Sequence, residues 1–81
     1  MTINVLIFGM AKDLVGSPQV SLKIDGDSAS TEELKHILLT KYPRLQEASN
    51  FMIAVNKEYS KNETKIINSD EVAIIPPTNG G

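Results

Sequence analysis

The chain has 81 residues, 41% of them hydrophobic and 22% charged, the balance of one small globular domain. So short a chain builds a thin core, which argues against an enzyme with a deep pocket of its own. The net charge is −2 with Lys and Arg scattered, so nucleic acid is not an expected partner, and the lack of Cys excludes a disulfide scaffold, a zinc–thiolate site and a cysteine nucleophile.

Met1 leads straight into a β-rich apolar run at residues 3–8, not into a charged segment and an apolar signal core. Along that strand Ile3, Val5 and Ile7 point one way, and Asn4, Leu6 and Phe8 the other. Gly9 breaks the run, and residues 11–15 make one short helical turn closed by Gly16. Residues 19–24 alternate Val20, Leu22 and Ile24 with Gln19, Ser21 and Lys23, the pattern of a half-buried strand, and Asp25-Gly26-Asp27 turns the chain. The main helix starts near Ser30. Ser30 and Glu33 have the spacing of a capping box, and Leu34, Ile37, Leu38 and Tyr42 share one helical face. Pro43 forces Tyr42 out of helical geometry and ends the element. Residues 51–56 read as a further strand with Phe51, Ile53 and Val55 on one side, and residues 57–67 hold short strand pieces and turns. Asn68-Ser69-Asp70 is a turn, and residues 71–75 form the last strand, stopped by Pro76-Pro77. No apolar run approaches the roughly 20 residues that span a bilayer. The expectation is a soluble cytoplasmic protein with no membrane partner and no metal site.

Strand, strand, helix, strand, short pieces, strand, without repeats or a linker, makes an α+β layer pair. A hairpin followed by a crossover helix suggests the β-grasp arrangement. That is a mixed sheet with the first and last strands parallel neighbours and one main helix packed on one face. Residues 1–75 then form the domain, and residues 76–81 an extended C-terminal tail. The strands carry more apolar residues than one helix covers: Leu6 and Phe8 oppose Ile3, Val5 and Ile7, and Ala73 and Ile75 oppose Val72 and Ile74. Phe8, Ile75 and Tyr59 are expected on the uncovered face, either as a binding surface or beneath loops that fold over it.

After Ile75 the chain reads Pro76-Pro77-Thr78-Asn79-Gly80-Gly81. The prolines stiffen the exit in an extended form, and the glycines, lacking a Cβ, keep the end thin. A thin tail held clear of a globular body can be threaded into another protein's narrow site. Its carboxylate is unreactive until activated, for instance as an acyl-adenylate, which sulfide or persulfide can attack to give a thiocarboxylate. That chemistry needs no side chain from this protein. The alternative is an inert frayed terminus. Elsewhere, His36 lies about 200° around the helix from Leu34 and faces solvent. Asp25-Gly26-Asp27-Ser28 lacks the later ligands of a calcium loop, and Asn62-Glu63-Thr64 fits a glycosylation acceptor that has no meaning in the cytosol. No Gly-rich loop cradles phosphate.

The ending carries a family likeness. Asp70-Glu71-Val72-Ala73-Ile74-Ile75-Pro76-Pro77 with Gly80-Gly81 resembles the small subunit of molybdopterin synthase, a ubiquitin-like sulfur carrier. So do Val5-Leu6-Ile7-Phe8 followed by Ala11-Lys12-Asp13-Leu14-Val15-Gly16, and Ala54-Val55-Asn56. The resemblance implies that an E1-like enzyme adenylates Gly81 with ATP and that sulfur then replaces an oxygen there. Acyl-AMP and thiocarboxylate are transient states of Gly81, and no cofactor is bound. Pro76, Pro77, Thr78, Asn79 and Gly80 would enter the large, catalytic subunit of a heterotetramer, with Phe8, Tyr59 and Ile75 as the docking patch. Two carriers would each deliver one sulfur to cyclic pyranopterin monophosphate, building the molybdopterin dithiolene. The chain would be a sulfurtransferase subunit, not catalytic alone. Two positions depart from the family pattern: Ser69 stands where Gly is common, and Asn79 where a smaller residue often precedes Gly-Gly. A ubiquitin-like protein modifier, or a carrier for thiazole or tRNA thiolation, uses the same activated end and stays open on this reading.

Overall fold

The computed structural model describes residues 1–48, 50–60 and 64–76. β1 (Thr2–Ile7) and β2 (Gln19–Lys23) pair antiparallel, with Ile3 opposite Leu22 and Val5 opposite Val20. The connection between them is α1 (Met10–Val15), whose last turn closes at Gly16 with φ 90. That left-handed position suits a residue without a Cβ, and the Gly16 N–H donates to the Lys12 carbonyl at 2.8 Å.

β3 (Ala29–Ser30) leads into α2 (Thr31–Lys41). Ser30 keeps an extended backbone, φ −87 and ψ 160, and its Oγ accepts the Glu33 N–H at 3.1 Å. This is the N-cap half of the expected capping box. Leu34 and Leu38 are buried, with Ile37 and Tyr42 packed at the margin of the core. Tyr42 caps the helix at φ −125 and ψ 79, outside helical geometry, as the following Pro43 requires.

The remaining strands are β4 (Met52–Val55), β5 (Glu58–Tyr59), β6 (Lys65–Ile66) and β7 (Val72–Ile75). The five-stranded sheet has the order β2-β1-β7-β4-β5. β7 lies at its centre, parallel to β1 and antiparallel to β4. The expected mixed sheet with first and last strands parallel is therefore the one observed.

Three features differ from the sequence reading. A 3₁₀ helix, Pro43–Ala48, buries Leu45 and Ala48 where no element was expected. β6 does not join the main sheet but pairs antiparallel with β3 as a separate two-stranded ribbon. The strands are also shorter than the apolar runs, so Phe8, Ile24, Phe51 and Glu71 fall just outside them. Phe8 still extends the β1–β7 ladder, its N–H donating to the Ile74 carbonyl at 3.1 Å.

The core lies between one face of the sheet and α2. Ile3, Val5, Ile7, Leu22, Ile53, Val72 and Ile74 pack with Leu34, Leu38, Leu45, Phe51 and Ile66. Two substitutions gauge this layer in urea unfolding. Ser30→Ala is expected to cost about 1 kcal/mol by removing the cap. Leu34→Ala should cost about 2–5 kcal/mol by leaving a cavity, much of what so small a domain possesses.

Candidate functional site: an apolar hollow beside the tail exit

The strand parity that fills the core leaves a second set of side chains on the opposite face. The register places Leu6 beside Ala73, Ala73 beside Ala54 and Ala54 beside Tyr59, a row crossing β1, β7, β4 and β5. Met52 is the partner of Ile75 in the next row. Small side chains in the middle of these rows and large ones around them make a hollow of about 350 Å³. Leu6, Phe8, Ala54, Tyr59, Ala73 and Ile75 line it, with Lys57 and Glu71 as its charged members. Ala54 and Ala73 are buried at its floor, whereas Phe8 is 49% and Tyr59 64% exposed.

The hollow adjoins the exit of the tail. β7 ends at Ile75, and Pro76 rests against Gly9 so closely that a Cβ on Gly9 would lie 2.9 Å from the Pro76 ring. Gly9 has φ 60, which also favours glycine. The start of the tail is thus fixed by the β1–β7 ladder on one side and by the entry to α1 on the other.

A polar network braces the far end of the hollow. Asn56 and Lys57 form the two-residue loop between β4 and β5, both at positive φ (54 and 71), as a type I′ hairpin requires. The Asn56 N–H donates to the Glu71 carbonyl at 2.7 Å, and its Oδ1 accepts the Glu71 N–H at 2.9 Å. Its Nδ2 donates to Asp70 Oδ1 at 3.0 Å, while Asp70 Oδ2 accepts the Ile67 N–H at 2.9 Å. The Ile67 N–H and then the Asn56 amide favour the charged carboxylate and hold Asp70 below the ordinary range of its type.

A larger depression of about 490 Å³ lies toward the start of α2, between Thr31, Glu32, Lys35, Asn50, Phe51, Met52, Ile53 and Ser60. Lys35 Nζ sits 5.2 Å from the Phe51 ring centre there. It shares no lining residue with the hollow beside the tail exit, so size does not make it the better candidate.

The ThiS family matches residues 5–81. The chain belongs to that family. It is 39% identical over 80 residues to the molybdopterin synthase sulfur carrier subunit of Arabidopsis thaliana, covering 98% of this chain and 82% of the relative. In fold it is similar to SAMP1 from Haloferax volcanii, with TM-score 0.84, 22% identity and all of both chains covered. It is similar also to a chain in the complex of subunits 1 and 2 of molybdopterin-converting factor from Helicobacter pylori, with TM-score 0.68, 24% identity and all of both chains covered.

In this ThiS family chain, Phe8, Tyr59 and Ile75 come together around one hollow, and no described loop buries them. Pro76 begins the tail at its rim; Pro77, Thr78, Asn79, Gly80 and Gly81 lie outside the described residues, as do Asn62 and Glu63. His36 is exposed on α2, and Asp25 and Asp27, in a bend, and Ser28 after it are exposed. Among the described residues no group of His, Cys, Asp and Glu could hold a metal ion, and no helix is long and apolar enough to cross a membrane. Ser69 needs no glycine-like backbone, since positive φ in non-glycine residues falls on Asn56 and Lys57 instead.

Sequence reasoning missed Lys57, Glu71 and the floor role of Ala54 in this hollow. The alternation of Met52 and Ala54 with Ile53 and Val55 holds that signal, but an alanine announces a floor only when its larger neighbours are known.

Asp70 gives this end of the site an acid dependence. Its pKa is lower folded than unfolded, so its stabilising contribution is fully present above the unfolded value and is lost as pH falls through the folded one. Asp70→Asn removes the charged acceptor of the Ile67 N–H. The difference in melting temperature between the parent and D70N is therefore expected to be greatest near neutral pH. It should shrink from about pH 4 downward.

Proposed function

We propose that the protein is the sulfur carrier subunit of a molybdopterin synthase and that its working group is the carboxylate of Gly81. The observation that carries the reading is the full-length match to molybdopterin synthase sulfur carrier subunits, 39% identical in the Arabidopsis thaliana case. The family match running to Gly81 and the hollow beside the tail exit support it.

The chemistry follows from the carboxylate. Its oxygen attacks the α-phosphorus of ATP in an E1-like enzyme, giving acyl-AMP and releasing pyrophosphate. Sulfide sulfur then attacks the acyl carbon, AMP leaves, and a thiocarboxylate remains. The anionic sulfur is a far better nucleophile than the oxygen it replaced, so it attacks a carbon of cyclic pyranopterin monophosphate, displacing an oxygen substituent; water then cleaves the resulting thioester, leaving the sulfur on the pterin and returning Gly81 as a carboxylate. Two rounds build the dithiolene. The large synthase subunit supplies the pocket for that step, because this small domain builds its hollow for docking and not around the reacting atom.

The exposed walls Phe8 and Tyr59, with Ile75, dock on the large subunit and set the point from which the tail is threaded. Pro76 and Pro77 keep the tail extended, and Thr78, Asn79 and Gly80 pass through the channel. The assembly is a heterotetramer with a carrier at each end of a large-subunit dimer. The same face, free again after dissociation, meets the E1-like enzyme.

Two variants separate delivery from docking. Removal of Gly81 is expected to abolish sulfur transfer in a reconstituted synthase while leaving the circular-dichroism spectrum and large-subunit binding in place. Phe8→Asp should weaken binding to the large subunit at least about tenfold, as loss of a central aromatic anchor does. Sulfur transfer that survives loss of Gly81 would contradict the proposal.

A further inference from the structure

We propose that Asn56 is a positioning residue for docking: its side chain fixes the tip of the β4–β5 hairpin against the start of β7 and so sets the place of Tyr59. The inference rests on the docking role given to the hollow above. Tyr59 is the wall that packing controls least. It lies on β5, a strand of two residues at the edge of the sheet, where β4 is its one sheet neighbour among the described residues. Its side chain is 64% exposed, so the ring is placed by its backbone and not by a surrounding core.

That backbone is held at two points beyond its own pairing. At the base, the Ser60 N–H and Oγ both donate to the Ile53 carbonyl, at 2.9 and 2.8 Å. At the tip, Asn56 uses its main-chain N–H, its Oδ1 and its Nδ2 to reach Glu71 and Asp70. Asp70 in turn holds the Ile67 N–H. One amide therefore joins the hairpin loop, the turn before β7 and the first residue of β7's approach. The floor of the hollow rides on β1, β7 and β4, whereas its Tyr59 wall rides on β5. The Asn56 bridge couples the two through the end of β7 opposite the tail. Without it the hairpin keeps its β4–β5 pairing, the Ser60 bonds at its base and one main-chain bond at the tip. Tyr59 and Lys57 then sample positions that no longer match a partner shaped to the hollow, and part of the binding free energy goes into ordering them.

Asn56→Gly isolates this role. Glycine accepts the positive φ of the loop and keeps the main-chain bond to Glu71, so only the side-chain bridges are removed. The experiment measures the Kd of the full-length carrier for the large synthase subunit by calorimetry, and kcat and KM for the carrier in sulfur transfer. Its comparison variants are Ser30→Ala, which destabilises the domain from α2, and Tyr59→Ala. The expected result is a Kd and KM raised roughly tenfold by N56G, the effect of about one net hydrogen bond. The kcat at saturating carrier stays unchanged, and S30A moves neither constant. Asn56→Asp keeps the acceptor for Glu71 but sets a second carboxylate against that of Asp70, so near neutral pH it is expected to weaken binding at least as far as N56G. Equal weakening by N56G and S30A would reduce the effect to general stability and overturn the proposal. Unchanged binding by N56G alongside weakened binding by Y59A would overturn positioning while leaving the docking face standing. Unchanged binding by Y59A would remove Tyr59 from the docking face and this inference with it.

Discussion

The parallel pairing of β1 with β7 is the constraint from which the rest follows. It places the last strand at the centre of the sheet, flanked by β1 and β4, and so makes the chain leave from the middle of the molecule. A central strand is buried on both faces unless one face is left uncovered. Val72 and Ile74 go into the core beneath α2; Ala73 and Ile75 go to the other side. The tail therefore begins at the rim of an apolar surface as a direct outcome of strand order. A partner that grips the surface also fixes where the tail enters.

The hollow is shaped by residue size. A flat sheet face carrying only large side chains would offer a bulging patch. Here Ala54 and Ala73 sit adjacent in the register, with Leu6, Phe8, Tyr59 and Ile75 around them. This costs little stability, since the alanines give up core volume on a face with no core. The charged members, Lys57 and Glu71, lie at the end braced by Asn56 and Asp70. The tail leaves from the other end, beside Phe8 and Gly9. One end is thus polar and hydrogen-bonded and the other apolar, giving the face a direction as well as a location.

Much of this was legible in the sequence because period and parity report burial directly. The opposition of Leu6 and Phe8 to Val5 and Ile7 located the uncovered face, and Ser30, Glu33 and Pro43 marked both ends of α2. What escaped depended on contacts distant in sequence. Residues 43–48 carry too few apolar positions to announce a 3₁₀ helix, which is held by packing of Leu45 into the core. β3 and β6 are two residues each and exist because the chain brings residues 29–30 beside 65–66. Asn56-Lys57 is a type I′ loop without the usual glycine, so the hairpin was not read from it, and its bridge to Asp70 joins residues fourteen apart in sequence. The tail's chemistry was read from residue type and position alone, for residues 77–81 lie beyond the described structure.

The central claim is that Gly81 carries sulfur, and the intact mass of untagged protein isolated from its native host tests it most directly. A sulfur carrier gives a population heavier by one oxygen-to-sulfur exchange, confined to the C-terminal peptide and absent when Gly81 is removed. A mass that stays unmodified even after incubation with the host's adenylating enzyme, ATP and a sulfur donor would contradict it.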